Sequence, residues 1–246
     1  MEPLADPVAE GTRIAEAAAE SALPLRLLGG VAVAVSCPSA RLSPLRRQYA
    51  DVDLATIGSA KEEVVRLMEA LSYEPDREFN TLHGNRRLYF WDEGNRRQVD
   101  VFVDEANLCH RVDLSRRIEV VPLTLSLADL TVLKLQVVES NEKDYLDLCA
   151  LFADHDLTSD DSGVNSSYIA DLTASDWGLW RTLGMVIQRS SQFALDLPDF
   201  EAGERVAERL GRLQTELDTV PKGRGWKLRS RVGDRKRWYE LPEEAH

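Results

Sequence analysis

Long apolar runs are missing from this 246-residue chain. No stretch approaches the roughly 18 residues that a membrane-spanning helix needs, so no integral membrane segment is expected. Cysteine is scarce. Cys37, Cys109 and Cys149 lie far apart without a CxxC pair, which argues against a disulfide framework or a Cys-rich zinc site and fits buried, reduced thiols. The histidines, His83, His110, His155 and His246, show no metal-ligand spacing such as HExxH. GxSxG, GxxxxGK and GxGxxG elements are also absent, which weakens hydrolase, P-loop and dinucleotide-binding readings. The stretch MEPLADPVAEGTRIAEAAAESA is acidic and lacks the basic start and apolar middle of a secretion signal, so a cytoplasmic location is expected.

Positive charge is in short supply as well. A net charge of −12 argues against indiscriminate coating of nucleic acid, which rests on neutralising phosphates with Lys and Arg. The shortage is uneven. Residues 222–237, KGRGWKLRSRVGDRKR, hold eight basic side chains against one acid, a local charge of +7 that leaves −19 for the rest. Such a run reads either as a solvated or internally paired tail, or as a phosphate-facing surface with Trp226, Trp238 and Tyr239 interleaved as stacking platforms.

What the chain does have is an ordinary globular balance, 43% hydrophobic and 29% charged. Residues 8–22 read as an Ala-rich helix. LRLLGG then reads as a short strand ended by two glycines, with a turn into a helix as its continuation. After the proline-containing loop CPSARLSPLRRQ comes the strand-like DVDLAT. An amphipathic helix follows over 61–71, with Val64 and Met68 on its apolar side. RRLYFW and RQVDVFV, separated by DEGN, predict a β-hairpin. From Ser126 the pattern turns helical, through SLADLTVLKLQVVE and then DYLDLCALFADH. The segment DHDLTSDDSGVNSS is polar and is expected not to pack, and Trp177 and Trp180 in DWGLWRT, three residues apart, are expected to pack in a helical core. The expected architecture is an α/β domain over 1–155, a mixed sheet with helices packed on it, followed by a helical C-terminal region over 156–246 with the basic tail.

Chemistry concentrates in the strands. In DVDLAT, Asp51 and Asp53 alternate with Val52 and Leu54, so both acids face one side of an extended segment. Two like charges side by side repel unless a cation sits between them. Magnesium suits such a place, because it prefers hard oxygen ligands and is commonly held by one or two carboxylates together with substrate phosphates. In QVDVFVD the period of two sets Asp100 apart from Val99, Val101 and Val103, which makes it the best third acid for a two-metal site. On the later helices, Lys134 interrupts the apolar stripe of Leu127, Leu130 and Val138, and so either snorkels from the helix edge, pairs with a structural acid or aims into a cleft. Lys143 and Asp147, four apart, read equally as a surface pair.

LLGGVAVAV, RQYADVDL and QVDVFV together resemble the nucleotidyltransferase superfamily typified by DNA polymerase beta. LADLTVLKLQ and EKDYLDLCALF are similar to later motifs of the branch that contains abortive-infection toxin-like nucleotidyltransferases. The resemblance implies that Gly29 and Gly30 form a turn admitting a triphosphate and that Asp51, Asp53 and Asp100 are catalytic metal ligands for Mg2+ or Mn2+. It further implies that Arg47, Lys134, Lys143, Asp144 and Asp147 serve nucleotide binding. The implied reaction moves an NMP group from an NTP, such as ATP, to a hydroxyl acceptor. A tRNA end, another RNA, a protein or a small molecule such as an aminoglycoside would be compatible acceptors, and a toxin–antitoxin setting would add a cognate antitoxin. A catalytically silent nucleotide- or RNA-binding module on the same fold is the competing expectation.

Overall fold

The computed structural model describes residues 2–241. It confirms the α/β class: a mixed five-stranded sheet with helices packed on it, and C-terminal helices beyond. Two compact units divide the chain, one made of residues 1–36, 47–106 and 112–126, the other of residues 37–46, 107–111 and 127–246. Among the described residues no helix is long and apolar enough to cross a membrane.

The first unit opens with α1 (Pro7–Glu20), whose start is set by Asp6 accepting a hydrogen bond from the Ala9 amide and by Pro7 in the first turn. It continues through β1 (Arg26–Leu28), α2 (Gly29–Ser36), β2 (Val52–Thr56), α3 (Lys61–Ala70), β3 (Glu74–Pro75), α4 (Arg77–His83), β4 (Arg87–Asp92) and β5 (Arg97–Val103). The sheet order is β1-β2-β5-β4-β3. Only β2 and β5 run parallel; the other pairs are antiparallel. The expected hairpin is present as β4 and β5, in a register that pairs Asp92 with Arg97. β3 and α4, which composition did not signal, sit between α3 and that hairpin.

Period-two alternation assigns the two sheet faces. Leu27, Val52, Leu54, Val99, Val101 and Phe90 are each fully buried on one face, together with Ile14, Ala15 and Ala18 of α1 and Val64 and Met68 of α3. α1 packs directly on β1, β2, α2 and α3. Asp53, Gln98, Asp100, Phe102 and Tyr89 belong to the other face. The free edge of β1 is flanked by an extended segment, with Leu27 bonded through its amide to Leu123 and through its carbonyl to Leu125. A fully buried Glu10 holds Arg13 at 2.6 Å and accepts the Tyr73 hydroxyl, so its charge is compensated inside the core.

Short strands β6 (Glu105–Asn107) and β7 (Arg111–Asp113) precede the second unit's helices, α5 (Leu127–Leu135) and α6 (Glu142–Asp154). There follow β8 (Leu157–Thr158), β9 (Val164–Asn165), α7 (Ser166–Ser175), α8 (Trp177–Asp196), α9 (Gly203–Thr219) and α10 (Arg224–Val232). On α9, Val206, Leu210, Leu213 and Leu217 recur at helical spacing and are fully buried against α6, α7 and α8. Each such burial contributes about 1.5–3 kcal/mol. Asn141, Asn165 and Asp176 cap α6, α7 and α8 with their side chains. Within the segment 154–167, expected not to pack, β8 and β9 pair in parallel, with Val164 buried completely. The reason is that its few apolar residues, Leu157 and Val164, are register partners and turn inward together. All three cysteines are buried, and burial pushes the Cys149 thiol up to about 12.

The basic tail is docked rather than loose. Trp226 meets Trp180 edge-on at 5.2 Å, Trp238 meets Trp177 at 5.7 Å, and the Trp238 indole donates to Thr182 Oγ1. The same hydroxyl lies 2.8 Å from His110 Nε2. Burial lowers the His110 pKa, opposed by the carboxylates of Asp176 and Glu240. In the unfolded chain an imidazole takes up its proton near pH 6.5, above the folded value, so the unfolded state binds more protons between the two. Stability is therefore expected to be complete above about pH 6.5 and to fall as pH drops below it. Thermal melts between pH 7.5 and 5.5 should show a declining midpoint whose slope flattens in His110→Gln; an unchanged slope in that variant would assign the decline to other groups.

Candidate active site

Asp53 stands on β2 and Asp100 on β5, and the parallel register sets them directly opposite each other. Register partners on neighbouring strands project to the same face from backbones about 4.8 Å apart. Asp100 is 3% exposed and Asp53 is half-buried. A buried carboxylate needs compensation. Arg87 Nε donates to Asp100 Oδ1 at 2.7 Å and Gln98 Nε2 donates to Oδ2 at 2.6 Å. Arg87 itself is steadied over the Phe102 ring, 5.1 Å from its centroid. Tyr89 faces Asp100 across the hairpin register, and burial, followed by the Asp100 charge, raises its pKa.

Asp51 takes a different place. β2 begins at Val52, so Asp51 is an exposed residue just ahead of the strand and not a strand neighbour of Asp53. Among the described residues no group of three or more His, Cys, Asp or Glu side chains is gathered as a metal site. The donor chemistry nonetheless fits a hard divalent cation: two carboxylates from adjacent strands offer oxygen ligands only, and one or two carboxylates with substrate phosphates are magnesium's usual complement.

The glycine bend lies against these groups. Gly29 opens α2 with φ +70, and a Cβ there would overlap Asp53 Oδ2. A Cβ on Gly30 would overlap the Arg47 guanidinium and crowd Tyr49. Arg47 stacks on the Tyr49 ring at 4.2 Å. Bare backbone at the amino end of a helix thus adjoins both an acid and an arginine, the arrangement in which main-chain amides approach an anion. Gly29→Ala is expected to cost about 1–2 kcal/mol from the left-handed backbone alone and to displace Asp53. Urea denaturation measures the cost.

In the second unit the structure gathers Lys134, Asp144 and Asp147. Lys134 Nζ lies 3.1 Å from Asp144 and 2.7 Å from Asp147, and the side chains are 14%, 15% and 2% exposed. Asp144 also closes a capping box with Asn141 at the start of α6. Lys143 is exposed and lies one turn before Asp147 on α6. Sequence reasoning passed over Arg87, Gln98 and Tyr89. Their signal was the alternation in RRLYFW and RQVDVFV, which sets Arg87 and Tyr89 opposite Leu88 and Phe90 and puts Gln98 on the Asp100 side.

No protein-family model matches the chain, and no curated protein matches it by sequence. Among solved structures, several are distantly similar to it. The antibiotic-resistance factor ANT(2'')-Ia shares 17% identity at a TM-score of 0.36, over 66% of this chain and 90% of that one. JHP933 from Helicobacter pylori shares 10% identity at a TM-score of 0.40, over 91% of this chain and 94% of that one. A candidate nucleotidyltransferase from H. pylori shares 11% identity at a TM-score of 0.38, over 88% of this chain and 97% of that one. Likeness at this level leaves function to be read from the residues themselves.

Proposed function

We propose that the protein is a metal-dependent nucleotidyltransferase that moves a nucleoside monophosphate from a nucleoside triphosphate to a hydroxyl acceptor. The observation that supports it most is the register pairing of Asp53 with Asp100 on one sheet face, with Asp53 seated on the side-chain-free Gly29. In this reading Asp53 and Asp100 hold a divalent ion, with Asp51 joining from the strand's leading end. The ion, when bound, neutralises the triphosphate. The Gly29–Gly30 bend offers main-chain amides to the phosphates, and Arg47 supplies positive charge beside them. The acceptor oxygen bonds to the α-phosphorus, the bond to the bridging oxygen breaks, pyrophosphate leaves, and Asp100 takes the hydroxyl proton. Lys134, Lys143, Asp144 and Asp147 enter this proposal through the sequence resemblance; the geometry of the Lys134 cluster also supports a structural ion triad.

A second reading has an observation of its own. Both Asp100 oxygens are already engaged, by Arg87 and Gln98, as they would be in a nucleotide-binding module that performs no transfer. Incubation with each labelled triphosphate, Mg2+ or Mn2+ and mixed RNA, protein and aminoglycoside acceptors separates the two. Metal-dependent pyrophosphate release supports the enzyme, whereas nucleotide binding without release under all acceptors supports the module.

A further inference from the structure

The outward face of α10 is positively charged, in a chain whose residues outside 222–237 sum to −19. At 100° per residue, Arg224, Lys227 and Arg231 fall on one side of this helix, and all three are exposed. Trp226 and Arg229 fall on the other side, where Trp226 packs on Trp180 and the Arg229 guanidinium lies 4.4 Å from the Trp177 ring centroid. Arg229 also donates to the Gly233 and Lys236 carbonyls, which fixes the turn that carries exposed Arg235 and Lys236 beyond the helix. Arg181 binds Asp234 at 2.9 Å, and the Gly223 amide bonds to the Ala174 carbonyl, so both ends of the helix are tied down. Among the described residues no carboxylate pairs with Arg224, Lys227 or Arg231. The cations are therefore presented on an ordered, anchored scaffold.

We propose that this face binds a nucleic-acid duplex through its phosphate backbone. Charge complementarity points to a polyanion: residues 222–237 carry +7, against −19 for the rest of the chain. The aromatic residues decide how it would be read. Trp177, Trp180, Trp226, Trp238 and Tyr239 each already meet another ring, and Lys222, Arg229 and Arg237 lie over three of them. Base stacking, the usual means of holding single strands, is spent on anchoring the tail. Contact falls to exposed guanidinium and ammonium groups spaced a helical turn apart, which suits a duplex's regular phosphates and carries no base sequence information. This surface is independent of the transferase reading, since it needs neither metal nor triphosphate.

The test is fluorescence anisotropy with the full chain and a labelled RNA hairpin, a DNA hairpin of the same sequence and a single strand, across a salt series. Both hairpins are expected to bind more tightly than the single strand, and the ratio between them tells which duplex is preferred. The triple variant Arg224→Gln/Lys227→Gln/Arg231→Gln should weaken hairpin binding about tenfold or more and reduce the log–log salt slope by about 3, one unit per lost phosphate contact. Leu228, 62% exposed between these cations, supplies the contrast. Leu228→Ser should change hairpin affinity less than about twofold, because a phosphate backbone has no use for an apolar side chain. Circular dichroism verifies that each variant folds. Three outcomes overturn the proposal: hairpin binding unaffected by the triple variant, tighter binding of the single strand, or a loss in Leu228→Ser as large as in the triple variant, which would mark an apolar protein-docking face instead.

Discussion

On the proposed nucleotidyltransferase reading, Asp53→Asn is expected to lower pyrophosphate release from nucleoside triphosphates by about 10²-fold or more, and Asp100→Asn to do the same. The size follows from what each carboxylate is asked to do, since removing one preorganised electrostatic partner of a transition state commonly costs that much. Asparagine keeps the shape and removes the charge, so the loss reports on cation binding and not on packing. Metal affinity is the independent readout. Mn2+ titration should show weaker binding in both variants, whereas Arg87→Gln, which frees one oxygen of Asp100, should bind Mn2+ more tightly than the parent. A parent protein that releases pyrophosphate while Asp53→Asn retains most of that rate would place the chemistry elsewhere. A parent that binds nucleotide and never turns over would instead favour the silent module.

Lys134→Met is expected to destabilise the second unit by about 3–5 kcal/mol, because two carboxylates, one of them only 2% exposed, lose their shared cation. The pair is expensive to break and much less expensive to remove together. Lys134→Met combined with Asp147→Leu should therefore recover a large part of the loss, and the coupling appears directly in a double-mutant cycle measured by urea denaturation. Independent, additive effects of the two substitutions would show that Lys134 does not stabilise Asp147. A Lys134 that faced only solvent would cost less than about 0.5 kcal/mol to replace.

Several parts of this protein were legible from local pattern. The period of two separated Asp100 from its flanking valines, the turn composition of DEGN marked the hairpin, and the apolar stripe at Val64 and Met68 marked α3. These are short-range properties, set by side-chain direction along a single element. The interruption of an apolar stripe by Lys134 likewise announced a buried cation in need of a partner, without naming which of its described readings would hold. Other expectations failed for the corresponding reason. The polar segment 154–167 is expected from composition not to pack, yet the inward pairing of Leu157 with Val164 outweighs that composition. Of the two readings of the basic tail, internal pairing holds for Trp226 and Trp238, which meet Trp180 and Trp177 on α8.

By itself the sequence determined the element types, the α/β class, the candidate acids, the glycine bend and the uneven charge, because each depends on neighbours within a few residues. Only the tertiary structure decided that β5 lies parallel beside β2 with Asp100 opposite Asp53, that Asp51 stays outside the strand, and that Arg87 and Gln98 hold Asp100. Strand order and register join residues almost fifty positions apart, and a slip of one residue would turn every side chain to the opposite face. That long-range pairing is chosen by the burial of Val52, Leu54, Val99 and Val101 together, a collective property of the core that no single stretch of the chain encodes.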